Sequence, residues 1–288
     1  MKRAVVALTV FAAATPATAR DDWDLGRDPA RGLTLAAVTF ENFGVAVRCM
    51  DGALSVVLSG DPRGRGVRTF RYRMGDQPET DSRWVAAGDG DVAFAVWPAA
   101  TAADLARGGR LDLGIRDGDR LRRLSADLPA SSTAIPQVFR ACGRDLSPAS
   151  RDDEPDRENL GGLRWVDVPT PSFPSRTEAS AGLAAVTCDV DARGGLRTCR
   201  VESEFPEGGG FGRAATLGAH RTGRVGVDPA APGALEGRRV NFVVRYGLRD
   251  EAALPPIPSH LPERPEYHGR PPLEDGSAAT VEIPPAAR

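Results

Sequence analysis

The sequence predicts an α+β fold in two modules: a β-rich N-terminal domain over residues 39–146 that ends in a helix, and a smaller α+β domain over residues 165–248. Three observations carry this. Apolar and polar residues alternate, the period of half-buried strands, along much of 43–128 and again along 183–202 and 240–246. Ile135, Val138, Phe139 and Cys142 fall instead at i, i+3, i+4 and i+7, one face of a helix. Between the modules, 147–164 includes Arg151-Asp152-Asp153-Glu154-Pro155-Asp156-Arg157-Glu158, dense in mixed charge and without an apolar period, which reads as a linker.

The chain opens with Met1-Lys2-Arg3, an apolar run over 4–14 broken only by Thr9, then Pro16 and Ala17-Thr18-Ala19. Positive start, short apolar stretch and small-x-small site are the layout of a cleaved secretory signal peptide over 1–19. The run is well short of the roughly 20 residues that cross a bilayer. Residues 20–34 are charged and read as a loose lead-in.

In the first module, Phe43, Val45, Val47 and Cys49 share one strand face. Asp51-Gly52 is a hairpin turn signal, after which Leu54, Val56 and Leu58 restart the alternation. Phe70, Tyr72 and Met74, then Val92, Phe94 and Val96, mark further strands, the latter ended by Pro98. A short helix spans 101–107 and closes on Gly108-Gly109. Leu111, Leu113 and Ile115 form a strand that turns at Asp117-Gly118 into 121–128. Ser131, Ser132 and Thr133 supply N-caps for the closing helix, which Gly143 stops.

An exported chain makes its four cysteines disulfide candidates. Cys49 faces the core from a strand and Cys142 from a helix, so their bridge would tie the module's last element to its first hairpin. Cys188 and Cys199 sit on two strands flanking the turn Asp191-Ala192-Arg193-Gly194-Gly195, with the hairpin centre between Arg193 and Gly194. Without a Cys-x-x-Cys or a histidine at ligand spacing, no metal is expected. An EF-hand reading of Asp189 and Asp191 fails because Arg193 and Arg200 occupy ligand positions.

In the second module the alternating strand 183–190, the return strand 196–202, an Ala-rich helix over 211–220 and a final strand with Val240, Phe242, Val244 and Tyr246 follow in order. Residues 249–288 form a proline-rich tail, with nine of the 24 prolines, expected to be disordered.

Composition narrows function. The 37 basic and 39 acidic residues argue against a nucleic-acid surface, and no cofactor is expected. Lys2 is the only lysine, which removes a P-loop lysine, a Schiff base and a Ser-x-x-Lys pair from the folded part. His220, His260 and His268 are the only histidines, and neither a Gly-x-Ser-x-Gly elbow nor a His-Glu-x-x-His pair is present. Asp51, Asp89-Gly90-Asp91 and Asp117-Gly118-Asp119 sit at turns, where Asp-Gly is favoured for backbone reasons. Gly208-Gly209-Gly210 reads as a flexible loop rather than a phosphate loop. The chain is not expected to be an enzyme.

Residues 171–248 resemble the TonB C-terminal domain family. Pro171-Ser172-Phe173-Pro174 stands for its Pro-x-Tyr-Pro opening, and Phe211-Gly212-Arg213-Ala214-Ala215-Thr216-Leu217 resembles its Phe-Asp-x-Ala-Ala-Leu helix. Gly182 with 183–190, Gly195-Leu196 through Val201, Asp228-Pro229, Gly237-Arg238 and Asn241-Phe242-Val243-Val244-Arg245-Tyr246 fit its remaining stretches in order. The family's Trp-x-Phe-x-Pro is here Val225-Gly226-Val227-Asp228-Pro229, without either aromatic. The resemblance implies a three-stranded antiparallel sheet with two helices. It also implies recognition by strand addition at an exposed edge formed by Arg239, Val240, Asn241, Phe242, Val243, Val244 and Arg245. Arg239 and Arg245 would equally serve to blunt an unused edge. The first module is similar only to exported bacterial domains of unassigned function, some associated with type VI secretion.

The function these readings imply is a periplasmic interaction module of the TonB type. Its partner would be an envelope protein, such as an outer-membrane receptor, within TonB-dependent transmembrane transport. Membrane contact would run through partners alone. The alternatives are an energy transducer held in the inner membrane by an uncleaved N-terminal segment, and a secreted hydrolase.

Overall fold

The computed structural model describes residues 23–60, 62, 66–86, 91–117, 119–146, 160, 162–229, 233–248 and 277–282. The expected signal peptide, most of the expected linker and residues 249–276 and 283–288 of the expected tail lie outside the described residues. The fold is mixed and strand-rich, with a large antiparallel sheet and three α-helices among the described residues.

The first sheet has nine strands: β1 (Asp24–Asp28), β2 (Leu33–Thr39), β3 (Gly44–Met50), β4 (Ala53–Ser59), β5 (Gly66–Met74), β6 (Thr80–Ala86), β7 (Val92–Ala95), β8 (Gly109–Asp117) and β9 (Arg120–Leu128). Its order is β1-β2-β3-β4-β7-β6-β5-β8-β9, and every pairing is antiparallel. Helix α1 (Pro98–Arg107) lies between β7 and β8, and α2 (Ala134–Ala141) follows β9. Asp51 and Gly52 both take positive φ, 49° and 81°, which suits the tight turn between β3 and β4. The cap of α2 comes from Ser131, whose Oγ accepts from the Ile135 N–H at 2.9 Å.

Residues 20–34 are not a loose lead-in where the structure describes them. Trp23 is buried, 23–28 lead into and form β1, and β2 starts at Leu33, so the module begins well before residue 39. The side chains of β1 are mostly exposed, so backbone pairing orders it and leaves no alternation in the sequence. Trp23 Nε1 donates to the Pro129 carbonyl at 2.8 Å. Trp23 adjoins β1 and Pro129 follows β9, the two outer strands, so the sheet curls until its ends meet.

Strand β6 is not anticipated by the sequence pattern. Trp84 points into the first core beside Phe70, while Val85 points out of it. Its inner face buries the polar Ser82 beside Trp84, and Val85 adds an apolar residue to the outer face, so no clean apolar–polar alternation marks the strand.

The second unit holds β10 (Leu163–Asp167), β11 (Gly182–Val190), β12 (Leu196–Phe205), α3 (Phe211–Thr222), β13 (Arg224–Val227), β14 (Arg239–Leu248) and β15 (Ser277–Glu282). It differs from the expected three strands and two helices. The main sheet has four strands, β12-β11-β14-β15, a second pair joins β10 to β13, and α3 is its one helix among the described residues. The extra strand comes from the tail, and β10 takes the last two residues of the expected linker.

The two units share a core. One face of β11 and β14 (Ala184, Val186, Cys188, Val240, Phe242, Val244, Tyr246) packs with Phe211, Ala215 and Ala219 of α3. The opposite face, with Leu183, Ala185 and Val243, joins Phe205 against Val85, Phe94, Val96 and Trp97 of the first unit. The sheet is thus a middle layer, which is why β11 is buried at eight of its nine positions. Ser203 Oγ donates to the Val96 carbonyl at 2.5 Å, and Arg48 pairs with Glu207 at 2.8 Å across the same boundary.

Candidate partner-binding edge

Both expected disulfides form. Cys49 at the end of β3 bonds Cys142 at the C-terminus of α2, and Cys188 of β11 bonds Cys199 of β12. The hairpin that carries the second bond is less regular than its spacing implies. Thr187 pairs with Arg200, but Asp189 pairs with Arg197, so Thr198 is an extra residue with φ 45°. The turn is held by Asp191, whose Oδ1 accepts from the Arg193 and Gly195 N–H groups at 2.9 and 2.8 Å. Those two backbone donors, with Arg197 nearby, lower the Asp191 carboxyl below its usual value.

The motif residues that carry the family resemblance have structural work. Phe173 meets Phe211 and Tyr246 edge-on, at ring distances of 5.7 and 6.0 Å. Gly182 is small because the Phe211 ring lies where its Cβ would stand. Tyr246 donates its hydroxyl to the Phe211 carbonyl at 3.1 Å, and burial pushes its phenol well above its ordinary range.

The seven-residue edge does not stand open along its length. On one side β14 pairs with β11 from Asp189↔Arg239 to Gly182↔Tyr246. On the other it pairs with β15 from Val243↔Glu282 to Leu248↔Ser277. Val243, Val244 and Arg245 are therefore covered on that side, facing Glu282, Val281 and Thr280. The physical reason is a proline-free interval in the tail. Residues 277–282 lie between Pro272 and Pro284 and each keeps the backbone N–H that a ladder needs. The proline content of the tail as a whole masks that interval.

The side chains of Val240, Phe242, Val243 and Val244 are fully buried, and Asn241 accepts from Thr187 Oγ1 at 2.9 Å. What the edge presents is therefore backbone, the currency of strand addition. Arg239 is held to Asp189 at 3.2 Å.

One buried polar cluster has no signal in the sequence. Glu202, 5% exposed, pairs with Arg144 at 2.7 Å and with Arg200 at 2.7 Å. It is the extra residue between the pairings Ala185↔Ser203 and Val186↔Val201, a bulge that turns its carboxylate toward the first unit. Burial raises its pKa, but Arg144 and Arg200 outweigh that and leave it below the ordinary value. No local pattern announces a partner 58 residues away.

Among the described residues, no three His, Cys, Asp or Glu side chains gather as a metal site. His220 Nδ1 lies 3.0 Å from the Leu196 carbonyl, and His260 and His268 lie outside the described residues. No helix among the described residues is long and apolar enough to cross a membrane. Scans against protein-family models, curated proteins and solved structures found no match for this chain.

Proposed function

We propose that the protein is an exported, disulfide-braced interaction module of the TonB C-terminal type, which binds an envelope partner by strand addition to β14 in the periplasm. The observation that carries the reading is β15. A segment separated from β14 by residues 249–276 returns to add itself as an antiparallel strand. An edge that accepts this chain's own strand has the backbone geometry to accept another. The two disulfides fit an oxidising compartment. The occupied half of the edge sets a condition on the function. A partner must displace β15, which competes from within the same chain and so binds intramolecularly.

The test uses a chain ending at Leu248 and a fluorescein-labelled peptide Gly-Ser-Ala-Ala-Thr-Val-Glu-Ile, copied from 276–283. The shortened chain should bind the peptide saturably, and the full chain at least tenfold more weakly because its own strand competes. Alternate N-methylation of the peptide, which removes ladder donors, should abolish binding. A shortened, folded chain that ignores the peptide would remove the basis of the proposal. For the partner, a photo-crosslinking residue at Arg239 in the native cell should trap an integral envelope protein.

A further inference from the structure

Away from the β14 edge, α3 and the loop in front of it enclose a groove of about 530 Å³. Its lining includes Thr170, Phe173 and Arg176 from the loop and Arg213, Leu217 and Arg221 from the helix. Arg213, Leu217 and Arg221 are spaced four apart and form one stripe on the helix. All three arginines are exposed, and none has an acidic partner among the described residues. No carboxylate lines the groove. This is a local positive field on a chain whose net charge is −2. Leu217, between the two helix arginines, is 43% exposed, unusual for a large apolar side chain here.

Two features decide what kind of anion fits. The N-terminus of α3 would ordinarily attract a phosphate, especially behind Gly208-Gly209-Gly210. Here Glu204 already caps it, its Oε2 accepting from the Gly212 N–H at 2.6 Å. A bound phosphate would meet that carboxylate. The helix arginines, eight residues apart, are separated by about 12 Å along the axis at 1.5 Å per residue. No single small anion bridges that span. An extended peptide covers about 13 Å over four residues, with positions i, i+2 and i+4 on one side.

We infer that this groove docks an acidic peptide segment of a partner protein, of the pattern acid-x-apolar-x-acid. The two carboxylates pair with Arg213 and Arg221, Arg176 closes over the segment from the loop, and the apolar side chain covers Leu217. Planar guanidinium groups suit carboxylates in this role. The groove makes its contacts through side chains, so its test reads independently of strand addition at β14.

The test uses the full-length oxidised protein and the labelled peptide Ser-Glu-Ser-Leu-Ser-Glu-Ser, followed by fluorescence anisotropy. Saturable binding that weakens at least tenfold when both Glu are Gln, and at least tenfold in Arg213→Gln/Arg221→Gln, supports the assignment. Loss of affinity in Leu217→Ser supports the apolar contact. These side chains are exposed, and unchanged circular dichroism and melting verify that the variants fold. Equal binding of the Glu and Gln peptides, no saturation up to about 1 mM, a range weaker than useful recognition, or full affinity in the double variant would overturn it. Displacement of the peptide by equimolar pyrophosphate would reassign the groove to small anions. Binding to phosphatidylglycerol vesicles, with no peptide binding, would reassign it to a membrane surface. Either result also overturns the peptide assignment.

Discussion

At the scale of single residues, Glu202 is a buried carboxylate that joins the two units. It is buried in the bulge of β12 and satisfied by Arg144 from the first unit and Arg200 beside it. Glu202→Gln keeps the shape but leaves the Arg144 guanidinium, 16% exposed, without a counter-charge. Breaking such a pair should cost about 2–4 kcal/mol at pH 7, read from urea midpoints. The pH dependence follows from its lowered pKa. The folded state holds the ionised form more firmly than the unfolded chain does. Its contribution is therefore fully present above the unfolded carboxylate range, about 4.3, and fades as pH falls through the lower folded value. The gap between wild type and Glu202→Gln should narrow as pH drops from 7 to 3. An undiminished gap at pH 3 would mean that packing, not charge, explains the loss. A second residue-scale expectation concerns Gly194, whose φ is 79° and whose missing Cβ would collide with the Val225 carbonyl. Gly194→Ala should lower the melting temperature by several degrees, because it adds left-handed strain to a backbone clash.

At the scale of elements, the two disulfides should contribute unequally. Cys49–Cys142 closes a separation of 93 residues and Cys188–Cys199 one of 11. Chain entropy assigns about 4–5 kcal/mol to the first and about 3 kcal/mol to the second. Cys49→Ser/Cys142→Ser should therefore shift a guanidinium midpoint further than Cys188→Ser/Cys199→Ser, with equal shifts counting against the loop-length account. The pairing is legible in the sequence because each cysteine sits on a readable face: Cys49 in an alternating strand, Cys142 at the end of a helical apolar row, Cys188 and Cys199 astride a turn. Strands with one dry face are legible for the same reason. The elements that are not legible share the opposite property. β1 buries almost no side chain, β6 buries the polar Ser82 on the same face as Trp84, and β15 is a short ladder inside a proline-rich tail. None shows the alternation that a one-sided sheet imprints on a sequence. The bulges of β12 are equally hidden, because an extra residue is visible only against its partner strand.

At the scale of the whole molecule, the question is whether the second unit is independent, as a linker between modules implies. Its sheet is dry on both sides: α3 covers one, and the other meets the first unit through Leu183, Ala185, Phe205 and Val243 against Val85, Phe94, Val96 and Trp97. Each of these eight residues is at most 6% exposed. Cutting the chain between the units would uncover apolar faces on both, at roughly 25 cal/mol for each Å² returned to water. It would also strip Glu202 of Arg144, Glu207 of Arg48 and Ser203 of its acceptor. The fragment 165–248 should then bind the dye ANS, self-associate or melt well below the full chain, and the full chain should unfold in one transition whichever unit reports it. Phe205→Ala, at the centre of the shared cluster and paired with the Phe94 ring at 5.6 Å, should destabilise both units together by about 3–5 kcal/mol. Two separated transitions in the full chain, with the Phe205→Ala effect confined to one, would return the molecule to two independent modules. A single transition would bear on the proposed function: were a partner to bind the β14 edge, its binding energy would reach the first unit through the packed layer of Leu183, Ala185, Phe205 and Val243.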